Sequence, residues 1–325
     1  MTAFFQTLPG ALILLVVGFI FLIKGADFFV EGASAVAKKL HVPALVIGMT
    51  IVAMGTSLPE LSVSVTASIA GSNQLAIGNV VGSNIFNLMV VLGSCALFSA
   101  LEVSDDTIKK DLPFSIICAA VLIVTGIIGG SVGHIDGLIL LVLFIIFLGS
   151  MLKAAKKSRA AATDDEKNEI VDIPTWLCII YIIGGAVAIK FGGDWVVDSC
   201  TTLAYMFGMS ETLVGLTIVA LGTSLPELVT SIVAARKNEL DMAIGNVVGS
   251  NIFNILLILG VAGAISPMTF LKVNAIDTLI LIVFSVIVGL MCMKKKNLNK
   301  GNGIIMLVLY ALYLGYIIVR DGGLA

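Results

Sequence analysis

Charged residues are scarce in this sequence: they make up 12% of the chain, against 58% hydrophobic residues and a mean hydropathy of +1.10. This balance excludes an ordinary soluble domain and is typical of an integral membrane protein. The chain also lacks a CxxC pair, and its five cysteines lie in apolar segments without a neighbouring histidine. We therefore expect small buried cysteines and no cysteine-based metal site.

Motifs of several other protein classes are missing as well. The N-terminal segment MTAFFQTLPG lacks the basic start and small-residue cleavage site of a signal peptide, so the first apolar run should remain as a membrane helix. The absence of a HExxH motif and of a credible Ser/His/Asp set argues against an enzyme. The one long hydrophilic stretch, KAAKKSRAAATDDEKNEIVD, lacks EF-hand spacing, which argues against a calcium-sensor domain.

Apolar runs long enough to cross a bilayer, about 20 residues each, make up most of the chain. Ten are expected, at approximately 9–37, 43–70, 75–98, 112–130, 134–154, 174–204, 211–235, 241–265, 273–293 and 302–320. The hydrophilic stretch separates the fifth run from the sixth. The sequence thus predicts a first five-helix repeat over 1–154, a cytoplasmic linker over 155–173 and a second five-helix repeat over 174–325.

The distribution of Lys and Arg predicts the orientation of these spans. If the N-terminus lies outside the cell, 15 of the 19 Lys and Arg residues fall in loops on the cytoplasmic side. Cytoplasmic loops are normally the ones enriched in Lys and Arg. We therefore expect a multi-pass protein of the inner (cytoplasmic) membrane with both termini outside.

The two halves of the chain resemble each other. The block AIGNVVGSNIFN occurs at 76–87 and again at 243–254, and IVAMGTSLPEL (51–61) aligns with IVALGTSLPEL (218–228) at the same offset. Because each half has five spans, the second half must enter the membrane from the opposite side. The predicted fold is an all-α integral membrane protein with ten transmembrane helices in two inverted-topology five-helix repeats, a construction that secondary transporters use around a midplane site.

The motif GTSLPE predicts a broken helix in the second span. Pro59 has no N–H and clashes with the carbonyl of Gly55, so the helix should kink or unwind there. The freed carbonyls and the side chains of Thr56, Ser57 and Glu60 form a patch of hard oxygen ligands, which suits calcium or sodium. The same six letters recur in the seventh span.

The block AIGNVVGSNIFN adds oxygens at helical spacing. Ser83 and Asn87 are four residues apart on one face of the third span, and Ser250 and Asn254 repeat the pair in the eighth. A GxxxG pattern in each copy predicts close approach of a neighbouring helix. We interpret the duplication as two spans that bring equivalent oxygens to one shared centre.

Glu60 and Glu227 are predicted deep in the membrane, with no basic residue nearby in sequence. An ionisable group at that depth is costly unless it is paired or hydrated. A bound cation is the expected counter-charge, and two carboxylates match the charge of one calcium ion.

Asp27 and Asp194 are predicted nearer the ends of their spans. Each can pair locally with a lysine of its own helix, Lys24 and Lys190 respectively, and the side chains can reach the membrane interface. A structural or interfacial role is the main interpretation, and a gating role is the alternative.

GTSLPE and GNVVGSNIFN, each present twice in a ten-span inverted repeat, resemble the two alpha-repeats of the calcium/cation antiporter superfamily, specifically its prokaryotic sodium/calcium exchangers. The resemblance covers nearly the whole chain. It implies exchange of sodium for calcium at one compact site, and sliding of spans one and six to switch access. The ion ligands that it implies, with the two alanines acting through their carbonyls, are Glu60, Glu227, Thr56, Ser57, Thr223, Ser224, Ala53, Ala220, Ser83, Asn87, Ser250 and Asn254.

Two of these positions depart from some relatives. Asn254 stands where some carry Asp, which leaves only the two Glu charges and argues against proton binding at that position. Asn87 stands where potassium-dependent relatives use Asp, so potassium dependence is not expected.

Three other functions stay open from the residues. Calcium/proton exchange would use titration of the two glutamates, although hydroxyls, carbonyls and amides bind ions without carrying protons. A cation channel would use the same oxygens, although inverted halves around a closed site favour alternating access. An intramembrane enzyme is the least supported.

The expected partners are calcium and sodium ions and the lipid bilayer. No cofactor, no nucleic acid and no obligate protein partner is expected, and the chain is expected to be a monomer.

Overall fold

The structure is a computed structural model that describes residues 3–71, 73–161, 173–209, 214, 218 and 220–320. Most of this part is helical. The helices are α1 (Leu8–Leu40), α2 (Ala44–Ile47), α3 (Ala53–Thr56), α4 (Leu58–Ile69), α5 (Asn73–Phe86), α6 (Leu92–Phe98), α7 (Leu112–Gly129), α8 (His134–Ala161), α9 (Thr175–Met206), α10 (Ala220–Gly222), α11 (Leu225–Arg236), α12 (Leu240–Phe253), α13 (Leu259–Ile265), α14 (Lys272–Lys295) and α15 (Lys300–Arg320). A 3₁₀ turn (Ala3–Gln6) precedes α1, and π-helical turns lie at Gly48–Val52, Asn87–Val91, Thr107–Asp111 and Asn254–Ile258.

The membrane-spanning helices agree with the prediction as far as they are described. Within the described ranges, 8 helices are long and apolar enough to cross a membrane, or 9 if the bent pair Ala44–Thr56 and Leu58–Ile69 is one span. The all-helical membrane class is therefore confirmed. Most of the first nine residues of the predicted span 211–235 lie outside the described residues. Most of the predicted linker 155–173 lies outside them as well.

The ends of α1 follow from its local sequence. The Thr7 side chain accepts a hydrogen bond from the backbone N–H of Gly10 at 3.3 Å, and Pro9 occupies the first turn, where its missing N–H costs nothing. At the other end, His41 adopts a left-handed conformation (φ 55°) after two lysines. Basic residues are favourable at a helix C-terminus, so both ends are stabilised locally.

The long helices α1 and α9 pack closely and antiparallel. A Cβ atom added at Gly18 would lie 3.0 Å from the carbonyl oxygen of Gly192, and one added at Gly25 would lie 3.0 Å from that of Gly185. Small residues at such positions let two membrane helices approach backbone to backbone. The contact joins the first span of one half to the first span of the other.

The two spans that carry the repeated block form the centre of the protein. In Leu75–Phe98 and Leu240–Ile265, 78% of the most apolar stretch is buried, against 39% or less in the other candidate spans. Their polar residues therefore face protein rather than lipid.

The GxxxG prediction is confirmed for the second copy of the block. A Cβ atom at Gly245 would lie 2.5 Å from the carbonyl oxygen of Leu45, and one at Gly249 would lie 2.5 Å from Cα of Met49. For Gly78 the prediction stays open, because the segment that the repeat would bring to it lies largely outside the described residues.

Two short strand pairs, which the sequence analysis did not predict, join helix ends of the two halves. Leu101–Glu102 (β1) pairs antiparallel with Asn297–Leu298 (β4), and Ser131–Val132 (β2) with Met268–Thr269 (β3). Beside the first pair, the Lys296 ammonium lies 2.9 Å from the Asp105 carboxylate and holds the pKa of that carboxyl below its ordinary value. Each pair of strands has only two residues per strand, too few to show as an alternating pattern.

The cysteines behave as expected. All five are free, and four are buried, while Cys200 is half-buried.

Candidate functional site

The break predicted at GTSLPE is present in the first half. Helices α3 and α4 meet at Ser57, whose backbone (φ −84°, ψ 11°) departs from the helical values, and the two segments are bent by 50°. In the second half Ser224 has nearly the same conformation (φ −93°, ψ 7°) at the start of α11. Both breaks follow from the proline two residues later, which removes one helical hydrogen bond.

The two glutamates are fully buried and each is held by the other half of the chain. Ser224 Oγ donates to Glu60 Oε1 at 3.1 Å, and Ser57 Oγ donates to Glu227 Oε1 at 2.8 Å. The second carboxylate oxygen, Oε2, of each glutamate has no hydrogen-bond partner among the described residues. A buried charged oxygen without a partner is costly, so each oxygen is available to a cation.

Four further predicted ligands are buried, and one of them contacts Glu60. Ser83 Oγ donates to Glu60 Oε1 at 3.5 Å. Asn87, Ser250 and Asn254 are fully buried, and within the described part of the chain their side-chain oxygens have no hydrogen-bond partner. Neutral oxygens of this kind complete the coordination shell of calcium or sodium in proteins.

Asn87 and Asn254 occupy equivalent backbone positions. Each is the first residue of a π-helical turn, Asn87–Val91 in one half and Asn254–Ile258 in the other. Such turns often mark functional sites, because the wider turn leaves backbone groups and side chains differently placed from those of an α-helix. Nothing in the sequence motif indicated these turns.

The predicted threonine ligands contact asparagines of the opposite half. Thr56 Oγ1 lies 3.1 Å from Asn246 Oδ1, and Thr223 Oγ1 lies 3.5 Å from Asn79 Oδ1. Hydroxyl oxygens that donate still have lone pairs, so these contacts are compatible with cation binding.

The backbone carbonyls of Ala53 and Ala220 are the remaining predicted ligands. The Ala53 carbonyl accepts hydrogen bonds from Ser57 N at 3.0 Å and from Thr56 Oγ1 at 3.3 Å. Ala220 begins α10, and its side chain lies outside the described part. A ligand role for these carbonyls stays a prediction.

The sequence analysis missed two hydrogen bonds between an asparagine and a serine side chain. Asn79 Nδ2 donates to Ser64 Oγ at 3.1 Å, and Asn246 Nδ2 donates to Ser231 Oγ at 2.9 Å. Each asparagine therefore links a serine of its own half to a threonine of the other half. Asn79 and Asn246 both belong to the repeated block AIGNVVGSNIFN, and this repetition could have indicated them.

The candidate gating residues each form an ion pair within their own helix. Asp27 Oδ2 is 3.6 Å from Lys24 Nζ, and Asp194 Oδ2 is 2.6 Å from Lys190 Nζ, which confirms the predicted local pairs. Lys237 was not predicted here: its ammonium donates to the backbone carbonyl of Asp27 at 2.9 Å. This contact ties α1 to the turn after α11.

Comparisons with known proteins identify the family. The family model described as sodium/calcium exchanger protein matches residues 10–153 and 177–319. The chain belongs to this family. It is 36% identical over 310 residues to the putative antiporter CaxA of Alkalimonas amylolytica, covering 94% of this chain and 97% of that protein. It is 35% identical over 311 residues to the inner membrane protein YrbG of Escherichia coli, with 90% and 92% covered.

A solved structure gives the same result for the fold. The sodium-calcium exchanger NCX_Mj, soaked with 10 mM Na⁺ and zero Ca²⁺, matches with a TM-score of 0.82 at 32% identity, over 94% of this chain and 98% of that one. The resemblance seen in the duplicated motifs is therefore confirmed: the chain is a prokaryotic exchanger of the calcium/cation antiporter superfamily. Its family is one of transporters and not of enzymes.

Proposed function

We propose that this protein exchanges sodium for calcium by alternating access, with the ions bound between the two halves. The observation that carries the proposal is the crosswise pair of buried glutamates. Each has one oxygen held by a serine of the opposite half and one oxygen without a partner in the described residues. Two such oxygens supply two negative charges to one enclosed site, which suits a divalent cation or several monovalent ones.

The same geometry supports the proposed ligand set. Hydroxyl groups of both broken helices and of the repeated block contact the glutamates. The amide oxygens of Asn87 and Asn254 are buried and have no hydrogen-bond partner among the described residues. Within the described residues, no group of three or more His, Cys, Asp or Glu side chains is placed to hold a metal. Apart from the two glutamates, the proposed ligands are neutral, and a low ligand charge favours an ion that must be released again over one that is held permanently.

Sodium is the proposed coupling ion. Apart from the two glutamates, the proposed side-chain ligands are hydroxyls and amides, which bind sodium but do not take up a proton at neutral pH. The second candidate function is calcium/proton exchange, and the two glutamates favour it, since they are groups that can carry protons.

The proposed architecture is ten transmembrane helices in two inverted five-helix repeats, 1–154 and 174–325, joined by a cytoplasmic linker. The reciprocal serine and glutamate contacts support it, because equivalent residues of the two halves exchange roles. We place the protein in the inner membrane, because its relative YrbG is named an inner membrane protein. We place both termini outside, as the distribution of Lys and Arg predicts.

Calcium-45 uptake into proteoliposomes tests the proposal. Vesicles containing the purified protein are loaded with sodium and diluted into sodium-free medium with calcium-45. A second set carries only a pH gradient, and a third has equal ion composition on both sides. The double variant Glu60→Gln with Glu227→Gln serves as the inactive control in each arm.

We expect rapid uptake only in the arm with outward-directed sodium. Uptake driven by the pH gradient alone would make protons the coupling ion and overturn the sodium assignment. Equally fast calcium flux in all three arms would indicate a channel. The absence of uptake in every arm, with folded protein, would contradict exchange altogether.

A further inference from the structure

Asn84 lies where the repeated blocks of the two halves meet. It is fully buried, and its Nδ2 donates to the backbone carbonyl of Asn251 at 3.0 Å. Asn251 returns the contact, since its Nδ2 donates to the backbone carbonyl of Asn84 at 3.2 Å. This reciprocal pair joins α5 to α12 and fixes which end of the Asn84 amide is the donor.

The other end of Asn84 reaches a predicted ion ligand. Because Nδ2 is already committed, Oδ1 of Asn84 is left as an acceptor, and Asn254 Nδ2 donates to it at 3.1 Å. The nitrogen of the Asn254 amide is thereby occupied. Its oxygen, Oδ1, is buried and has no partner among the described residues.

The orientation of the Asn254 amide matters because its two ends are chemically opposite. The oxygen accepts hydrogen bonds and can coordinate a cation, whereas the NH₂ group is a donor only. Rotation of the amide by half a turn would present the nitrogen and repel the cation. A chain of two hydrogen bonds, from Asn254 through Asn84 to the backbone of Asn251, selects the oxygen.

Among the described residues, the equivalent contact is missing on the other side of the repeat. By symmetry, Asn87 Nδ2 would donate to Asn251 Oδ1, but within the described residues both of these atoms lack a hydrogen-bond partner. The two halves therefore differ at this point: Asn84 fixes the amide of Asn254, whereas no hydrogen bond within the described residues fixes that of Asn87.

We infer that Asn84 is a positioning residue, which holds the Asn254 amide with its oxygen available to the transported cation. This role rests on the proposed function, since it takes position 254 as an ion ligand. It also explains why an amide suits this position: an ionised carboxylate at 254 would have no donor for Asn84 Oδ1. The charge of the site is then limited to its two glutamates.

A double-mutant cycle on calcium binding tests this role. Equilibrium binding of calcium-45 to the purified, detergent-solubilised protein is measured for Asn84→Leu, Asn254→Ala and the double variant. Asn251→Leu is the matched control, because it removes the equivalent side chain at similar volume but leaves the backbone carbonyl that orients Asn84. Thermal unfolding of every variant reports whether it is folded, and Asn84→Ala replaces Asn84→Leu if the larger side chain prevents folding.

We expect Asn84→Leu to weaken calcium binding about tenfold, the loss that corresponds to one net hydrogen bond. In the Asn254→Ala background the same change should have little further effect, because Asn84 acts through Asn254. Asn251→Leu should weaken binding by less than Asn84→Leu and should add its effect to that of Asn254→Ala.

Two outcomes of this experiment distinguish failure of the positioning role from failure of the calcium site. Fully additive effects of Asn84→Leu and Asn254→Ala, with calcium binding intact in the unmodified protein, would overturn the positioning role and leave the proposed function standing. An unmodified, folded protein that binds no calcium would overturn the calcium site itself.

Discussion

At the residue scale, the proposed ion site centres on two glutamates that the fold has removed from solvent. A charged side chain in mid-membrane costs about 3 kcal/mol even on permissive scales. Here one oxygen of each carboxylate is stabilised by a serine hydroxyl and the other has no partner within the described ranges. A transported cation would offset the remaining cost while it is bound.

Neutralising either glutamate is therefore expected to disable the site. Glu60→Gln and Glu227→Gln should each weaken calcium binding roughly a hundredfold, since losing one charge of a buried ionic contact costs about 3 kcal/mol. Calcium-45 binding and uptake measure this loss. Glu102→Gln, the same change at an exposed position, is the control and should behave as the unmodified protein. Near-normal uptake by either site variant would contradict the assignment.

At the element scale, the fold depends on how closely α1 and α9 approach. Gly185 and Gly25 face each other across this contact, and a Cβ atom at Gly185 would lie 2.8 Å from the carbonyl oxygen of Gly25. Backbone atoms cannot move aside as a flexible side chain can, so the helices would have to separate. The sequence analysis predicts that these two helices slide, and a contact of glycines without side chains is compatible with such a movement.

Adjacent glycines of α9 provide a matched test of this contact. Gly185→Ala should lower the free energy of unfolding by about 1–3 kcal/mol, the usual cost of overpacking. Gly184→Ala should be neutral or stabilising, because no atom of the described residues lies within 4 Å of its added Cβ and alanine is the better helix former. Thermal unfolding in detergent measures both. Equal melting temperatures for the two variants would show that the close contact is absent.

At the scale of the whole molecule, the orientation in the membrane follows from the basic residues. Most Lys and Arg fall in loops on one side of the proposed ten-span arrangement, and that side should be cytoplasmic. The end of α8 belongs to it, with Lys156, Lys157 and Arg159 in the sequence KKSR.

Reporter fusions in a bacterial host test this orientation. Alkaline phosphatase, which is active only after export, should be active when fused after Arg320 and inactive when fused after Ala161. Green fluorescent protein, which does not fluoresce when exported through the Sec pathway, should show the opposite pattern at the same two positions. Activity of alkaline phosphatase at Ala161 would reverse the predicted orientation, and equal behaviour at both positions would contradict five spans in the second half.

Much of this protein follows from local sequence. Within the described residues, apolar length locates eight membrane-spanning helices, or nine if the bent pair Ala44–Thr56 and Leu58–Ile69 is one span. Pro59 accounts for the break before α4, because a missing N–H and a steric clash act within one helical turn. The repeated motifs also predict Glu60 and Glu227 as ion ligands. These features need no knowledge of what lies across the fold.

Other features depend on contacts between residues far apart in the chain. The serine that holds each glutamate comes from the opposite half, and the free end of the Asn254 amide is selected by Asn84. The letters of the two repeats are identical at Asn84 and Asn251, yet within the described residues only Asn84 holds a ligand amide. Identical sequences can differ in this way because the direction of a buried hydrogen bond is set by the neighbours that packing brings together, and those neighbours are not part of the motif.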